Sequence, residues 1–135
     1  MANEAVITDF LGNNGDIVQY TCAEATAIPY GTILELEDLR TVKKVSGAGV
    51  VLAGIAAESF AGGEGRTTIG VLTNVIAKLT TIAGGSGTLG SGCRSAGATN
   101  EVTLATTLDN ETGKSLGYFL ETAGASETAL VRVKK

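Results

Sequence analysis

The sequence predicts an all-β fold, a single small domain arranged as a sandwich, a barrel or a clip of short strands with little helix. From Ile28 onward, brief runs rich in β-branched residues and leucine alternate with turn clusters. The 135 residues include 19 glycines, one proline and no tryptophan, so the core must consist of small aliphatic side chains. No stretch after residue 28 keeps an apolar stripe of helical period without glycine.

The first 27 residues differ from the rest of the chain. A turn at residues 13–16 (NNGD) separates an apolar segment, residues 5–11, from a second one, residues 17–22. We predict that residues 1–16 form an extended N-terminal arm, loosely ordered in the free protein, and that residues 17–135 form the β domain. The alternative is that the first segment is the first strand of the domain.

Eight strands are predicted after this segment, each where β-branched residues or leucines lie between turn residues. They cover residues 32–36, 41–45, 50–57, 67–73, 75–82, 102–106, 116–121 and 129–133. A single helical turn is predicted over residues 109–115. The glycine- and serine-rich stretch 84–100 is predicted to be a flexible loop.

The first predicted hairpin can be checked against the rules of strand pairing. Folding residues 32–36 back on residues 41–45 places Glu35 opposite Lys43 and Leu36 opposite Val42. Opposite charges and apolar side chains then face each other, which stabilises an antiparallel pair. The loop between the two strands is polar enough to lie in water.

Two later segments resemble each other weakly. In each, a glycine lies four residues before a glutamate, and a turn and a strand follow; the pairs are Gly54–Glu58 and Gly117–Glu121. A Gly-Thr pair lies upstream of each, beginning at Gly31 and at Gly87. The body is therefore either two related strand-turn-strand units or two ordinary hairpins that share common residues.

The side chains that most enzymes need are scarce, and we expect no catalytic activity. The chain contains no histidine, which removes the commonest general base and the commonest metal ligand. Glu35 and Glu37 share one face of a predicted strand, as a carboxylate pair or a cation site would require. Solvated charges that protect a sheet edge explain this pair better.

Neither a glycine motif nor the two cysteines predict a cofactor-binding or metal-binding site. Residues 85–90 match G-x-G-x-x-G, but residues 91–97 contain two glycines and no helical stripe, so the helix that binds a dinucleotide phosphate is missing. Cys22 and Cys93 match no metal or redox spacing. Two buried free thiols are the prediction, and a disulfide is the alternative.

The charge distribution argues against nucleic acid and membrane partners. Residues 1–39 carry seven acids and no base, while all 10 lysines and arginines follow. Three basic residues at the C-terminus are too few for a nucleic-acid surface at a pI of 4.8. We also expect no export signal and no transmembrane helix, because acids interrupt the N-terminal segment and the apolar runs are short.

Four segments follow one another in an order and spacing typical of a known family. They are residues 28–36 (IPYGTILEL), 51–58 (VLAGIAAE), 116–121 (LGYFLE) and 129–133 (ALVRV). A glycine-rich turn follows the second of them. This pattern resembles the head decoration proteins of tailed bacteriophages, which are also called capsid cement proteins.

The resemblance implies a β-clip or β-tulip domain that forms homotrimers on the outer surface of a phage head. Such a protein is made in the host cytoplasm, binds the major capsid protein and stabilises its lattice. The resemblance places the N-terminal segment against the shell, and we expect its apolar residues to make that contact: Val6, Ile7, Phe10 and Leu11. The acidic surplus of residues 1–39 would favour a basic shell surface.

The alternative is a small β-rich module that binds a ligand or a carbohydrate without catalysis. Such a module would be expected to line one face with exposed aromatic side chains. The chain has three tyrosines and three phenylalanines in all, which makes a carbohydrate-binding face the weaker hypothesis.

Overall fold

The computed structural model describes residues 3–22, 27–37, 40–62 and 67–135. Within them the chain forms short strands and one short helix, so the all-β prediction is confirmed. The elements are β1 (Val6–Phe10), β2 (Val18–Thr21), β3 (Ile33–Leu36), β4 (Val42–Lys44), β5 (Leu52–Ala56), β6 (Thr68–Leu72), β7 (Asn74–Thr81), β8 (Gly92–Ser95), β9 (Glu101–Leu104), α1 (Thr107–Glu111), β10 (Ser115–Phe119) and β11 (Thr128–Lys134).

Each of the eight predicted strands overlaps an observed one, from β3 to β7 and from β9 to β11. The first hairpin has the predicted register, with Glu35 opposite Lys43 and Leu36 opposite Val42. The helical turn begins two residues earlier than predicted, because Thr106 caps it and exchanges hydrogen bonds with Asp109.

The stretch 84–100 is not one loop, because Gly92–Ser95 forms strand β8 between β9 and β10. Its glycine motif has a packing role. A Cβ atom at Gly87 would lie 2.5 Å from the ring of Phe119, so only glycine leaves room for that buried side chain. Cys22 and Cys93 are buried free thiols, as predicted, and burial raises the pKa of Cys93.

The strands form two sheets that each curl until their ends meet. In the first, the order is β2-β6-β5-β3-β4, and a parallel bridge from Thr21 to Thr41 brings β4 back to β2. In the second, the order is β7-β11-β10-β8-β9, and β9 pairs in parallel with the end of β7 at Thr80 and Thr81. Strand β1 adds to the remaining edge of β7. We call these two closed sheets unit 1 and unit 2.

Unit 1 and unit 2 have the same topology. Matching β2 to β6 with β7 to β11, in chain order, converts the strand order of unit 1 into that of unit 2. The parallel contact that closes each sheet is equivalent too. It involves Thr41 in unit 1 and Glu101 in unit 2. Each of them lies one residue before the first antiparallel pair of its strand, which is at Val42 in β4 and at Val102 in β9. The chain is therefore built from two copies of one barrel-like unit, which favours the first of the two interpretations of the sequence repeat.

Loop contacts repeat along with the strands. The N–H of Gly31 donates to the carbonyl of Ala56 in unit 1, and the N–H of Gly90 donates to the carbonyl of Phe119 in unit 2. Both glycines have positive φ angles, +90° and +83°. The Gly-Thr pair at Gly87 was therefore the wrong partner for Gly31, because Gly90 occupies the equivalent position.

The glycine and glutamate of the sequence repeat explain how each sheet curls. A Cβ atom at Gly54 would lie 2.4 Å from the carbonyl oxygen of Leu72, and one at Gly117 would lie 1.7 Å from that of Arg132. A β-bulge lies directly before each glycine. Bulges and glycines let a strand bend sharply and approach its neighbour closely, as a closed five-stranded sheet requires.

The glutamate of each pair then fixes the returning strand. Glu58 Oε2 accepts a hydrogen bond from the N–H of Gly70 at 3.0 Å, and Glu121 Oε1 accepts one from the N–H of Leu130 at 3.0 Å. Hydrogen bonds to a carboxylate are stronger than those between neutral groups. The spacing of four residues therefore places a charged acceptor at the same point of each hairpin.

Unit 1 has an apolar interior of its own, and its outer face packs on unit 2. Leu34, Val42 and Val71 belong to the interior, whereas Ile33, Ile55 and Leu72 share the core cluster of unit 2. Every residue of β5 is consequently buried. Two-sided burial explains why β5 reads as a continuous apolar run rather than as an alternating one.

Asn100 joins the N-terminal segment to both units. Its fully buried side chain accepts a hydrogen bond from the N–H of Ile33 at 2.6 Å through Oδ1. Its Nδ2 donates to the carbonyl of Asn3 at 2.8 Å and to that of Gly31 at 3.2 Å. A buried amide whose donors and acceptor are all satisfied ties these three segments together.

Replacing Gly117 with alanine tests the close approach of β10 and β11. We expect Gly117→Ala to lower the free energy of unfolding by about 3 kcal/mol or more, because the clashing atom is backbone and cannot turn aside. Gly84→Ala is the matched control, since Gly84 has a φ of +82° and open space around it, and it should lose about 1 kcal/mol. Urea unfolding of both variants makes the comparison; equal losses would contradict the account of the bend.

Candidate partner-binding surface

The candidate surface begins at strand β1, where the predicted partner-binding residues lie. Residues 6–10 form a strand on the edge of β7, which is the alternative to a detached arm that the sequence left open. The opposite edge of β1 pairs with none of the described residues. An unpaired edge is a template on which another strand can add. That residues 1–16 are loosely ordered in the free protein and become ordered on a phage head stays a prediction.

A bulge in β1 divides the predicted apolar stripe between two faces. Val6 lies opposite Lys78 and Ile7 lies opposite Ala77, but the register then shifts so that Phe10 lies opposite Val75. Thr8 is the extra residue, and its hydroxyl donates to the carbonyl of Ile76 at 2.9 Å. Residues opposite each other share a face, so Ile7 and Phe10 lie on the inner face and Val6 on the outer one.

The four predicted contact residues also differ in how far their side chains are exposed to solvent. Val6 is 60% exposed and Phe10 53% exposed, whereas Ile7 is half-buried against the core. Leu11 is also half-buried, and its N–H donates to the carbonyl of Asn74. Val6 and Phe10 can therefore contact a partner directly, while Ile7 and Leu11 mainly hold β1 in place.

The turn after β1 is stabilised by Asp16. Its Oδ1 accepts a hydrogen bond from the N–H of Asn13 at 3.0 Å, and its Oδ2 accepts one from Asn74 Nδ2 at 2.6 Å. These two hydrogen bonds lower the pKa of the Asp16 carboxyl below its ordinary value of 3.8, and the positive charge of Arg132 adds a smaller effect in the same direction. The carbonyl of Asp16 also accepts a hydrogen bond from the Thr73 hydroxyl, which fixes the turn to the start of β7.

An open cleft lies beside this turn, at the start of β2. Asn13, Asn14, Asp16, Ile17 and Val18 line it. Ile17 is 49% exposed although it is a large aliphatic residue. The turn at residues 13–16 was predicted from the sequence, but the exposure of Ile17 was not; its signal was an apolar residue directly after a polar turn.

Charged residues near the first hairpin are paired with one another. Lys43 Nζ lies 3.6 Å from Glu35 Oε2 and 3.1 Å from Glu37 Oε1. These carboxylates raise the pKa of Lys43, with Glu37 making the larger contribution. Glu35 also accepts hydrogen bonds from Ser46. This arrangement fits a charged sheet surface better than a carboxylate pair for catalysis. Two other acids of the acidic stretch 1–39, Glu24 and Asp38, lie outside the described residues.

In the described ranges, no group of three or more histidine, cysteine, aspartate or glutamate side chains is placed to hold a metal ion. Within the same part of the chain, no helix is long and apolar enough to cross a membrane.

No family model matches the sequence, and no curated protein matches it. The fold is similar to that of a solved structure, the head fiber gp8.5 N base in bacteriophage phi29, with a TM-score of 0.54 and 13% sequence identity. The match covers 87% of this chain and 94% of that one. At this identity the likeness shows a shared fold, and it spans both units.

The turn at Asp16 should loosen in acid. Because the folded-state pKa is below the unfolded-state value, the stability that Asp16 contributes is fully present above about pH 4 and is lost as the pH falls through the lowered folded-state pKa. A carboxyl titration followed by NMR should give Asp16 a midpoint below 3.8, and Asn74→Ala should raise that midpoint. A midpoint at or above 3.8 in the unmodified protein would contradict the proposed hydrogen bonds.

Proposed function

We propose that this chain is a structural protein of a phage head, located on the outer capsid surface of the virion, where it binds the major capsid protein and stabilises its lattice. It acts by binding and carries out no catalysis. The observation that carries the proposal is a fold shared along most of the chain with the N base of a phage head fiber. The sequence resemblance to decoration proteins points independently to the same class of particle.

The exposed edge of β1 supports a specific mode of attachment. A strand of the shell protein pairing with this edge would satisfy the free N–H and C=O groups of β1. Val6 and Phe10 would then be covered by apolar shell residues, which supplies the hydrophobic contribution to binding. The proposal thus keeps the predicted contact residues but assigns direct contact to two of the four.

The proposal includes a homotrimer on the shell. A closed cyclic ring buries the same pair of surface patches three times and leaves no unsatisfied patch to drive further association. The partners are therefore the major capsid protein and two further copies of this chain. Nucleic acid and membrane have no part in the proposed function.

Single substitutions on β1 test the attachment better than a deletion. Removing residues 2–12 would also remove Ala5, which is buried in the core, and Asn3, whose carbonyl bonds Asn100. Val6→Asp and Phe10→Asp leave those contacts in place. Each should weaken binding to purified phage heads about tenfold or more, because it forces a charge against an apolar contact.

Leu108→Asp is the matched control, since Leu108 is 64% exposed and lies on α1. It should bind heads like the unmodified protein in a co-sedimentation assay, and thermal unfolding of all three variants checks that they fold. The attachment through β1 is wrong if Val6→Asp and Phe10→Asp bind as well as this control. Failure of the unmodified protein to bind any head would contradict the proposed function itself.

A further inference from the structure

The two units differ at the outer edge of their first strand, which is β7 in unit 2 and β2 in unit 1. In unit 2, the edge of β7 is shared, since β9 pairs with its end at Thr80 and Thr81 and β1 pairs with Val75 to Lys78. In unit 1, the strand equivalent to β7 is β2. It meets the region of β4 through the bridge from Thr21 to Thr41, and no described strand takes the place that β1 takes on β7.

Among the described residues, no strand pairs with the matching edge of β2. Gly70 lies opposite Gln19, but its N–H donates to Glu58 and its carbonyl accepts from Ala57, so both groups point toward β5. In an antiparallel pair, the backbone N–H and C=O groups of two opposite residues either all point toward the partner strand or all point away from it. The backbone N–H and C=O of Gln19 therefore point away from β6, toward an edge where no described strand pairs with them.

The residue two positions earlier extends this edge. Because alternate residues of an extended chain point their backbone groups to the same side, the N–H and C=O of Ile17 point the same way as those of Gln19. They make no backbone hydrogen bond among the described residues. Its side chain is the exposed apolar wall of the cleft beside the asparagine turn. Free donors and acceptors, an exposed aliphatic side chain and an open cleft thus coincide at residues 17–19.

Strand β1 shows what kind of segment fits such an edge. On β7, the carbonyls of Asn74 and Ile76 accept hydrogen bonds from Leu11 and from the Thr8 hydroxyl, so alternate residues of β7 face β1. Ile7 lies opposite Ala77. The equivalent of Ala77 on β2 is Val18, because Ala77 pairs with Val131 of β11 and Val18 pairs with the matching residue of β6, Val71. A matching segment would run antiparallel to β2 and place an apolar residue beside Val18.

We infer that the edge of β2 at residues 17–19 is a second strand-addition site, occupied by an extended apolar segment of a partner protein. A second copy of this chain is the weaker occupant, because a copy that donated β1 would expose an equivalent edge on its own β7 and gain no net pairing. The partner is the shell protein, and this identification rests on the proposed function. The chain would then contact the shell through the edges of both β1 and β2.

A synthetic peptide with the sequence of residues 5–11 (AVITDFL), extended by two lysines for solubility, is the probe. Titrated into isotopically labelled protein, it should shift the amide signals of residues 17–20 in a saturable way. A peptide carrying Val6→Pro lacks the N–H that would pair with Gln19, and it should bind at least about tenfold more weakly.

Two protein variants and a control complete the test. Gln19→Pro removes an edge donor that pairs with no described strand, and Ile17→Asp places a charge in the cleft, so both should abolish the shifts while keeping a folded spectrum. Leu108→Asp should leave the shifts unchanged. Shifts at residues 75–78 instead, which would mean displacement of β1, or no saturable binding at millimolar peptide would overturn the inference.

This test uses the free protein, so its outcome is separate from that of the head-binding assay. If heads bind the protein but the peptide does not, the second site is wrong and the proposed function stands. If the peptide binds at residues 17–20 and heads do not bind, β2 accepts a strand but the shell is not its source, which overturns the named partner.

Discussion

The structure depends on two places where strands approach each other more closely than any side chain would allow. At Gly54 and Gly117, the carbonyl oxygen of the neighbouring strand occupies the position that a Cβ atom would need. The bend at each glycine lets a sheet of five strands curl until its ends meet, which removes most unpaired edges without the larger size of an ordinary barrel. A glutamate four residues later fixes the returning strand, so one short motif sets the curvature of each unit.

The two units share a topology but differ in what their outer faces contact. The outer face of unit 1 is apolar at Ile33, Ile55 and Leu72 and packs on unit 2. The equivalent positions in unit 2 hold Gly92, Tyr118 and Arg132, whose side chains or backbone remain partly accessible. The two units therefore share one topology but differ in the residues of their outer faces. Strand β1 adds to unit 2, whereas no described strand adds to the equivalent edge of unit 1.

Local patterns in the sequence predict most of the strands, and long-range contacts determine what they miss. Alternation and opposite charges were enough for the register of Glu35 with Lys43, because both partners lie in one hairpin. Strand β8 has no β-branched residue and was predicted as a loop; it forms because β9 and β10 pair with it on both sides. Ile17 was missed for the same reason, since its exposure depends on the absence of a paired strand beside β2 in the described fold.

The proposed location on the outside of a phage head, with the edges of β1 and β2 against the shell, can be tested by imaging. Cryo-electron microscopy of purified phage heads after incubation with the protein provides this test. Density for the chain is expected on the outer capsid surface, with shell backbone continuing the sheet beside Val6 or beside Gln19. Heads that do not bind the chain, or that carry it with both edges turned toward solvent, would show that this location and mode of attachment are wrong.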